Sequence, residues 1–225
     1  MRVRQEDWTR VATAVGDLNP LHYADANNAQ HKPVCAGVYL LALAEQKLRD
    51  RGFAFPGSHM NISFSKPVYD GEQVNHIVDN GIRMVREGRE IASFYGSSGI
   101  LEIDFRGARE YALEITPNAV REFSDVLGIS SDNPYYAFGF GAITNAFLNE
   151  PGHSQTRIGA LMKNLQFCFG RVPRIGAGLV KLVTRELPKK RGIDYIIHAG
   201  FYQDGKRIVT GIANGFKFNP QPVPA

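Results

Sequence analysis

Between Gln5 and Val15 the apolar residues Trp8, Val11, Ala12 and Val15 fall three and four positions apart, which predicts a short amphipathic helix running into Gly16-Asp17. After a loop containing Pro20 and Pro33, the stretch GVYLLALAEQKLRDRG from Gly37 to Gly52 is apolar nearly all round before charge enters. A helix of that kind belongs inside a core rather than on a surface. The segments NISFSKPVYDGEQVNHIV, IRMVREGREIASFYG and ILEIDF then join β-branched and aromatic runs through Gly-containing turns, the pattern of an antiparallel sheet.

The same order returns in the second half. TPNAVREFSDVLG predicts an amphipathic helix, GAITNAFL a more apolar one, and NLQFCFGRVPRIGAGLV opens a run of strands. Asn61-Ile62-Ser63-Phe64 matches Asn164-Leu165-Gln166-Phe167 at an offset of 103, and the glycines taken to open the apolar helices, Gly37 and Gly141, differ by 104. Residues 1–107 and 108–225 are therefore read as two tandem repeats; the alternative is a chance similarity between two α+β halves. The glycines that close the first helix of each copy, Gly16 and Gly128, differ by 112, so the second copy is about eight residues shorter between its helices. That shortening falls on GDLNPLHYAD, residues 16–25, where the second copy keeps only Ser131-Asp132-Asn133-Pro134 before Tyr135-Tyr136.

Asp17 and His22 lie five apart across a proline-stiffened turn, a spacing that can aim both side chains into one space. An imidazole and a carboxylate beside one water molecule can remove and return a proton. Asn19 is placed to cap the turn or to orient a partner. The same residues also suit a structural turn, with Asp17 and Asn19 in Asx-turns and His22 a satisfied loop histidine.

Composition narrows the class. The 225 residues are 44% hydrophobic and 21% charged, with Gly and Pro dispersed, as in ordinary globular proteins. No apolar run reaches the roughly 18 residues of a membrane span, and the start MRVRQEDW lacks the apolar stretch of a signal peptide, which implies a cytoplasmic protein. The net charge of +4 gathers at Arg83/Arg86/Arg89, Arg171/Arg174 and Lys189-Lys190-Arg191, either solvated hairpin tips or a weak site for a phosphorylated ligand or acidic partner. No aromatic-and-basic interleaving accompanies them, so no nucleic-acid partner is implied. Cys35 and Cys168 have no metal-ligand spacing and read as small buried hydrophobes. His31, His59, His76, His153 and His198 read as loop or surface residues, and Trp8 as core.

The string G-D-x-N-P-L-H, followed by P-V-x-A-G from Pro33 to Gly37 and by F-x-x-P-V-x-x-G at Phe64, Pro67, Val68 and Gly71, resembles the signature of the MaoC-like, (R)-specific enoyl-CoA hydratases, known as hydratase 2. The resemblance covers about the first 105 residues. It implies an α+β double hotdog fold, two tandem hotdog repeats in which an antiparallel sheet wraps around a central helix. It implies Asp17 and His22 as the catalytic pair that activates water, with Asn19 in support and the Gly37 N–H offered to the thioester carbonyl oxygen. A helix N-terminus suits that oxyanion on physical grounds, although a tightly packed glycine would also stand there. The chain departs from the pattern at Ala36, where the family usually has a histidine, and in a shorter loop between His22 and Gly37. Glu45 stands near a position where the family often has a small polar residue that supports the aspartate. It points either at Asp17, raising one of the two pKa values, or out to solvent.

The implied activity is that of a hydro-lyase on an enoyl or (R)-3-hydroxyacyl thioester of coenzyme A or an acyl carrier protein, with no metal and no cofactor. Two fused copies would cover each other's open edges as a pseudo-dimer within one chain, compatible with a further homodimer. Tyr39 of the first copy and Tyr135, Tyr136, Phe138 and Phe140 of the second are candidates for the tunnel lining and equally for the core. Two rival readings stay open: a hotdog acyl-thioester hydrolase, and a non-catalytic acyl-binding or scaffold protein whose site Ala36, Glu45 and the short loop have closed.

Overall fold

The apolar stripe of the first helix, α1 (Gln5–Val15), buries Trp8, Val11, Ala12 and Val15, and the helix stops where Gly16 turns left-handed at φ 79°. The computed structural model describes residues 1–23, 32–97, 101, 103–129, 134–150, 160–189 and 192–218. The central helix α2 (Gly37–Arg49) is buried continuously from Val38 to Glu45. Strands β1 (His59–Phe64), β2 (Asn75–Val78), β3 (Gly81–Arg86) and β4 (Arg89–Ser97) follow, then β5 (Arg109–Ile115). Helix α3 (Pro117–Leu127) has Pro in its first turn and the Thr116 hydroxyl accepting from the Ala119 N–H, and it too stops at a left-handed glycine, Gly128. Helix α4 (Tyr136–Leu148) and strands β6 (Ala160–Phe169), β7 (Gly176–Lys189), β8 (Gly192–Gln203) and β9 (Lys206–Phe218) complete the chain.

The nine strands among the described residues form one antiparallel sheet in the order β2-β3-β4-β1-β6-β9-β8-β7-β5. The halves meet at β1 and β6, where Ile62 lies opposite Leu165. Those two residues are equivalent by the offset of 103. A strand that pairs antiparallel with its own copy about equivalent residues marks a local two-fold axis, so the repeats meet as the subunits of a symmetric dimer do. Helix α2 packs on β3, α4 packs on β5, β7, β8 and β9, and α1 packs on α3 as α2 does on α4.

Three expectations change. Gly141 does not open α4, which begins five residues earlier at Tyr136. Gly141 sits mid-helix because a Cβ there would lie 2.4 Å from the Val15 carbonyl oxygen, so its role is the close crossing of α1 and α4. Gly37 follows Gly16 by 21 positions, whereas Tyr136 follows Gly128 by only 8, so the second copy is shorter by 13 residues rather than eight. ILEIDF is not a strand over its described residues; Asp104 accepts from the Arg106 N–H in a turn, and the strand is REYALEI, β5. As an edge strand that buries only Ile115, β5 carries little hydrophobic alternation to read. Asp132, Asn133, His31 and His153 lie outside the described residues. Among the described residues no helix is long and apolar enough to cross a membrane, and no group of His, Cys, Asp and Glu is placed to hold a metal ion.

Candidate active site

The chain leaves α1 through two consecutive side-chain turns. Asp17 Oδ1 accepts from the Asn19 N–H at 3.3 Å, Asn19 Oδ1 accepts from the Leu21 N–H at 3.3 Å, and the His22 N–H donates to the Asn19 carbonyl at 3.0 Å. The last bond closes the 3₁₀ turn Pro20–His22. Trp8 Nε1–H donates to the His22 carbonyl at 3.1 Å and the Tyr23 and Thr13 hydroxyls share a hydrogen bond at 3.2 Å, which tie the end of the loop back to α1, while the Tyr23 hydroxyl also donates to the Asp17 carbonyl at 3.1 Å and closes the loop on itself. The turn-forming reading of these residues is thus correct, and it is also what aims them. Asp17, Asn19 and His22 are 2%, 5% and 5% exposed, and all three line one cavity.

Within the cavity wall His22 Nε2 lies 3.5 Å from Asp17 Oδ2, while His22 Nδ1 lies 2.8 Å from the Val34 carbonyl oxygen. A carbonyl only accepts, so Nδ1 carries the proton and the neutral ring turns the Nε2 lone pair toward Asp17. Burial opposes charging this ring. The Asp17 charge and hydrogen bond, with the Val34 carbonyl, outweigh it and raise the His22 pKa above its ordinary value.

The cavity holds about 180 Å³ and draws on both repeats. Gly37 and Leu40 of α2, Phe64 to Val68 after β1, Phe140 and Thr144 of α4, and Met162 and Lys163 of β6 line it. Ser65, Lys66, Pro67 and Lys163 are exposed and form its open end, while Leu40, Phe140 and Thr144 are buried at the inner end. Gly37 is the first residue of α2, whose N-cap Ala36 has no side chain to cap the helix. Among the described residues no backbone acceptor takes the Gly37 N–H. A Cβ at Gly37 would lie 3.2 Å from the Phe64 ring, which accounts for the glycine by close packing as well.

The tunnel candidates are corrected. Tyr39, Tyr135, Tyr136 and Phe138 do not line this cavity, and of the five aromatic residues only Phe140 does. Tyr135 is the N-cap of α4 and Tyr136 and Phe138 lie in its first turn, whereas the residues of α4 that line the cavity are Phe140 and Thr144. Tyr136 packs edge-on against Phe169 and donates its hydroxyl to the Gly170 carbonyl at 3.0 Å, and Phe138 packs on Phe123. Tyr39 is a core residue.

Glu45 points neither at Asp17 nor out to solvent. It is 1% exposed, Oε1 accepts from the Tyr136 N–H at 3.0 Å, and Oε2 accepts from the Ala137 N–H at 3.2 Å. Arg49 donates to Oε1 through Nη2 at 2.6 Å and Nε at 3.0 Å, and its guanidinium lies 4.5 Å over the Tyr135 ring. Burial raises the Glu45 pKa, against the Arg49 charge and the two backbone donors. Glu45 therefore caps α4, the central helix of the other repeat. Cys35 and Cys168 are buried free thiols and Trp8 is core, as the sequence implies. Within the basic clusters, Arg83 and Arg86 are paired with Asp79 and Glu72. Thr144, Val34, Lys66 and Lys163 were not singled out as site residues by the sequence, although the Pro33 to Gly37 motif contains Val34 and the Phe64 to Gly71 motif brackets Lys66.

No protein-family model matches the chain and no curated protein matches it. Solved structures do. A MaoC-like dehydratase aligns over 97% of this chain and 95% of its own at 11% identity with a TM-score of 0.60. A protein of Lactobacillus plantarum assigned as an oleoyl thioesterase aligns over 98% and 95% at 7% identity with a TM-score of 0.60. A Mycobacterium tuberculosis protein with a double hotdog fold aligns over 97% and 93% at 10% identity with a TM-score of 0.63. Together with the sheet, its two-fold join and the two central helices, these likenesses establish that the chain is a double hotdog, the fold it shares with the MaoC-like dehydratases.

Proposed function

We propose that the chain is a hydro-lyase that adds water to an enoyl thioester or removes it from a (R)-3-hydroxyacyl thioester. The observation that carries this reading is the buried Asp17–His22 pair, 3.5 Å apart, facing the same cavity as the uncapped N-terminus of α2. A water molecule on the cavity side of the pair, within reach of both Asp17 Oδ2 and His22 Nε2, gives one proton to the pair as its oxygen bonds to C3 of the acyl group. The electrons of the double bond move onto the thioester oxygen, where the Gly37 N–H and the α2 dipole stabilise the charge. The proton held by the pair then goes to C2, so that one water is added across one bond, and dehydration is the reverse. Asn19 is the positioning residue, holding Asp17 through its N–H and His22 through its carbonyl. No step calls for a metal or a cofactor.

Lys66 and Lys163 at the open end suit the phosphates of a coenzyme A or acyl-carrier thioester. Because one pair serves one face of the double bond, hydroxyl and proton arrive on the same side, and the resemblance adds the (R) hand. Hydrating crotonyl-CoA in deuterated water and reading both stereocentres tests this; anti addition or an (S) product contradicts it. The shared fold with a protein assigned as a thioesterase keeps hydrolysis as a second reading, in which the pair directs water to the carbonyl carbon. Release of free thiol would be its sign.

A further inference from the structure

The two central helices have the same length, 13 residues, and are matched here by position counted from their first residues, Gly37 and Tyr136. Their ninth residues are Glu45 in α2 and Thr144 in α4. Each stands by the N-terminus of the opposite helix: Glu45 bonds to the N–H groups of Tyr136 and Ala137, and Thr144 lines the same cavity as Gly37. Symmetry thus builds two like places, each a helix N-terminus faced by residue nine of the other helix. At one of them a carboxylate of the chain itself sits on two adjacent backbone donors, held by Arg49. Arg49 is the thirteenth residue of α2, and its counterpart in α4 is Leu148. At the other place the short side chain of Thr144, its hydroxyl donated to the Phe140 carbonyl at 3.1 Å, leaves a cavity.

We infer that residue nine of the central helix decides which half-site is open: Glu45 is the built-in occupant of the α4 half-site, and Thr144 keeps the α2 half-site open to the acyl thioester. The chain accordingly binds one acyl group, with its thioester oxygen on the N–H groups of Gly37 and Val38, the counterparts of the donors that hold Glu45. This deepens the hydro-lyase reading, on which it rests for the ligand class. It makes Thr144 a specificity-determining residue contributed by the repeat that lacks the acid/base loop.

The probe is butyryl-CoA, which has no double bond, so that binding is read without the reaction. Titration calorimetry on the full chain is expected to give one site, with Thr144→Ser binding within about threefold of the wild type. Thr144→Gln and Thr144→Glu, each checked for a cooperative thermal transition, are expected to weaken binding more than about tenfold. Two sites per wild-type chain, no binding to the wild type, or a folded Thr144→Gln that binds like the wild type would overturn the inference. If neither larger variant folds, the wild-type stoichiometry decides. One-site binding without hydration of crotonyl-CoA would overturn the hydro-lyase reading and leave this inference standing.

Discussion

The segment between α1 and α2 and the segment between α3 and α4 begin alike and end differently. Both leave an amphipathic helix through a left-handed glycine, at φ 79° for Gly16 and 64° for Gly128. In the first, 21 positions separate that glycine from the central helix and a buried carboxylate and imidazole face a cavity; in the second, 8 positions bring the chain straight into α4. Burying Asp17 and His22 has a desolvation cost that the fold offsets by hydrogen bonds: Asp17 Oδ1 accepts from the Asn19 N–H, His22 Nδ1 donates to the Val34 carbonyl, and the backbone carbonyls of His22 and Asp17 accept from Trp8 and Tyr23. The second copy has shed that loop, and a carboxylate of the chain fills the place opposite. On the proposed reading the two copies of one fold divide the work, the first carrying the reactive pair and the second contributing Phe140, Thr144, Met162 and Lys163 to the cavity wall.

The largest expected break in this asymmetry comes from the pair itself. Asp17→Asn and His22→Ala are each expected to lower kcat for crotonyl-CoA hydration by about 10² to 10⁴, the range of a general acid or base, while each still unfolds in one cooperative thermal transition. Stopped kinetics on both variants, beside circular dichroism, reads the two effects separately. A smaller loss is expected from Trp8→Phe, which keeps most of the ring but leaves the buried His22 carbonyl without its donor. About 1 to 3 kcal/mol of stability should go, measured by urea unfolding, together with some activity as the loop loosens.

The His22 titration sharpens the comparison further. Its raised pKa means that the neutral, proton-accepting ring is lost at a pH above the ordinary value of about 6.5, so the acid limb of hydration should have its midpoint above that value. In Asp17→Asn the carboxylate that raises the pKa is gone and burial remains, so the His22 midpoint read by nuclear magnetic resonance should fall. The same sign governs stability: the His22 contribution is fully present below about pH 6.5 and is lost as pH rises through the folded-state pKa. The smallest effect is expected in the second copy, where Asp132→Ala should leave the hydration rate within about twofold and stability within about 0.5 kcal/mol. Abolished turnover there, with stability unchanged, would mean that both copies are catalytic.

Much of this was legible in the sequence because periodicity survives where burial is one-sided. The α1 stripe, the apolar α2 and the strand match at an offset of 103 all report which face meets the core, and the last even names the residues that meet on the two-fold axis. The loop was legible as a candidate site because a histidine follows an otherwise ordinary Asp-Leu-Asn-Pro turn and the second copy is shorter at that point. The start of α4 was not: YAFGFGAITNAFL is apolar on all sides, so no stripe marks its first residue and a glycine in its middle passes for an opening. The same uniformity misplaced Tyr135, Tyr136 and Phe138 along the cavity. Glu45 was misread because its partners are backbone N–H groups 91 and 92 residues away, which leave no trace in local pattern. The Val34 carbonyl that sets the His22 tautomer lies only 12 residues on, within the Pro33 to Gly37 motif, but a backbone carbonyl carries no side-chain signature of its role.

The most direct test of a single hydrating centre in the first copy follows enoyl absorbance and free thiol together, with crotonyl-CoA, in the wild type and in Asp17→Asn. The account predicts that the wild type loses absorbance without releasing thiol and that the variant does so at least about a hundredfold more slowly. Thiol release by the wild type, or undiminished hydration by the variant, would contradict it.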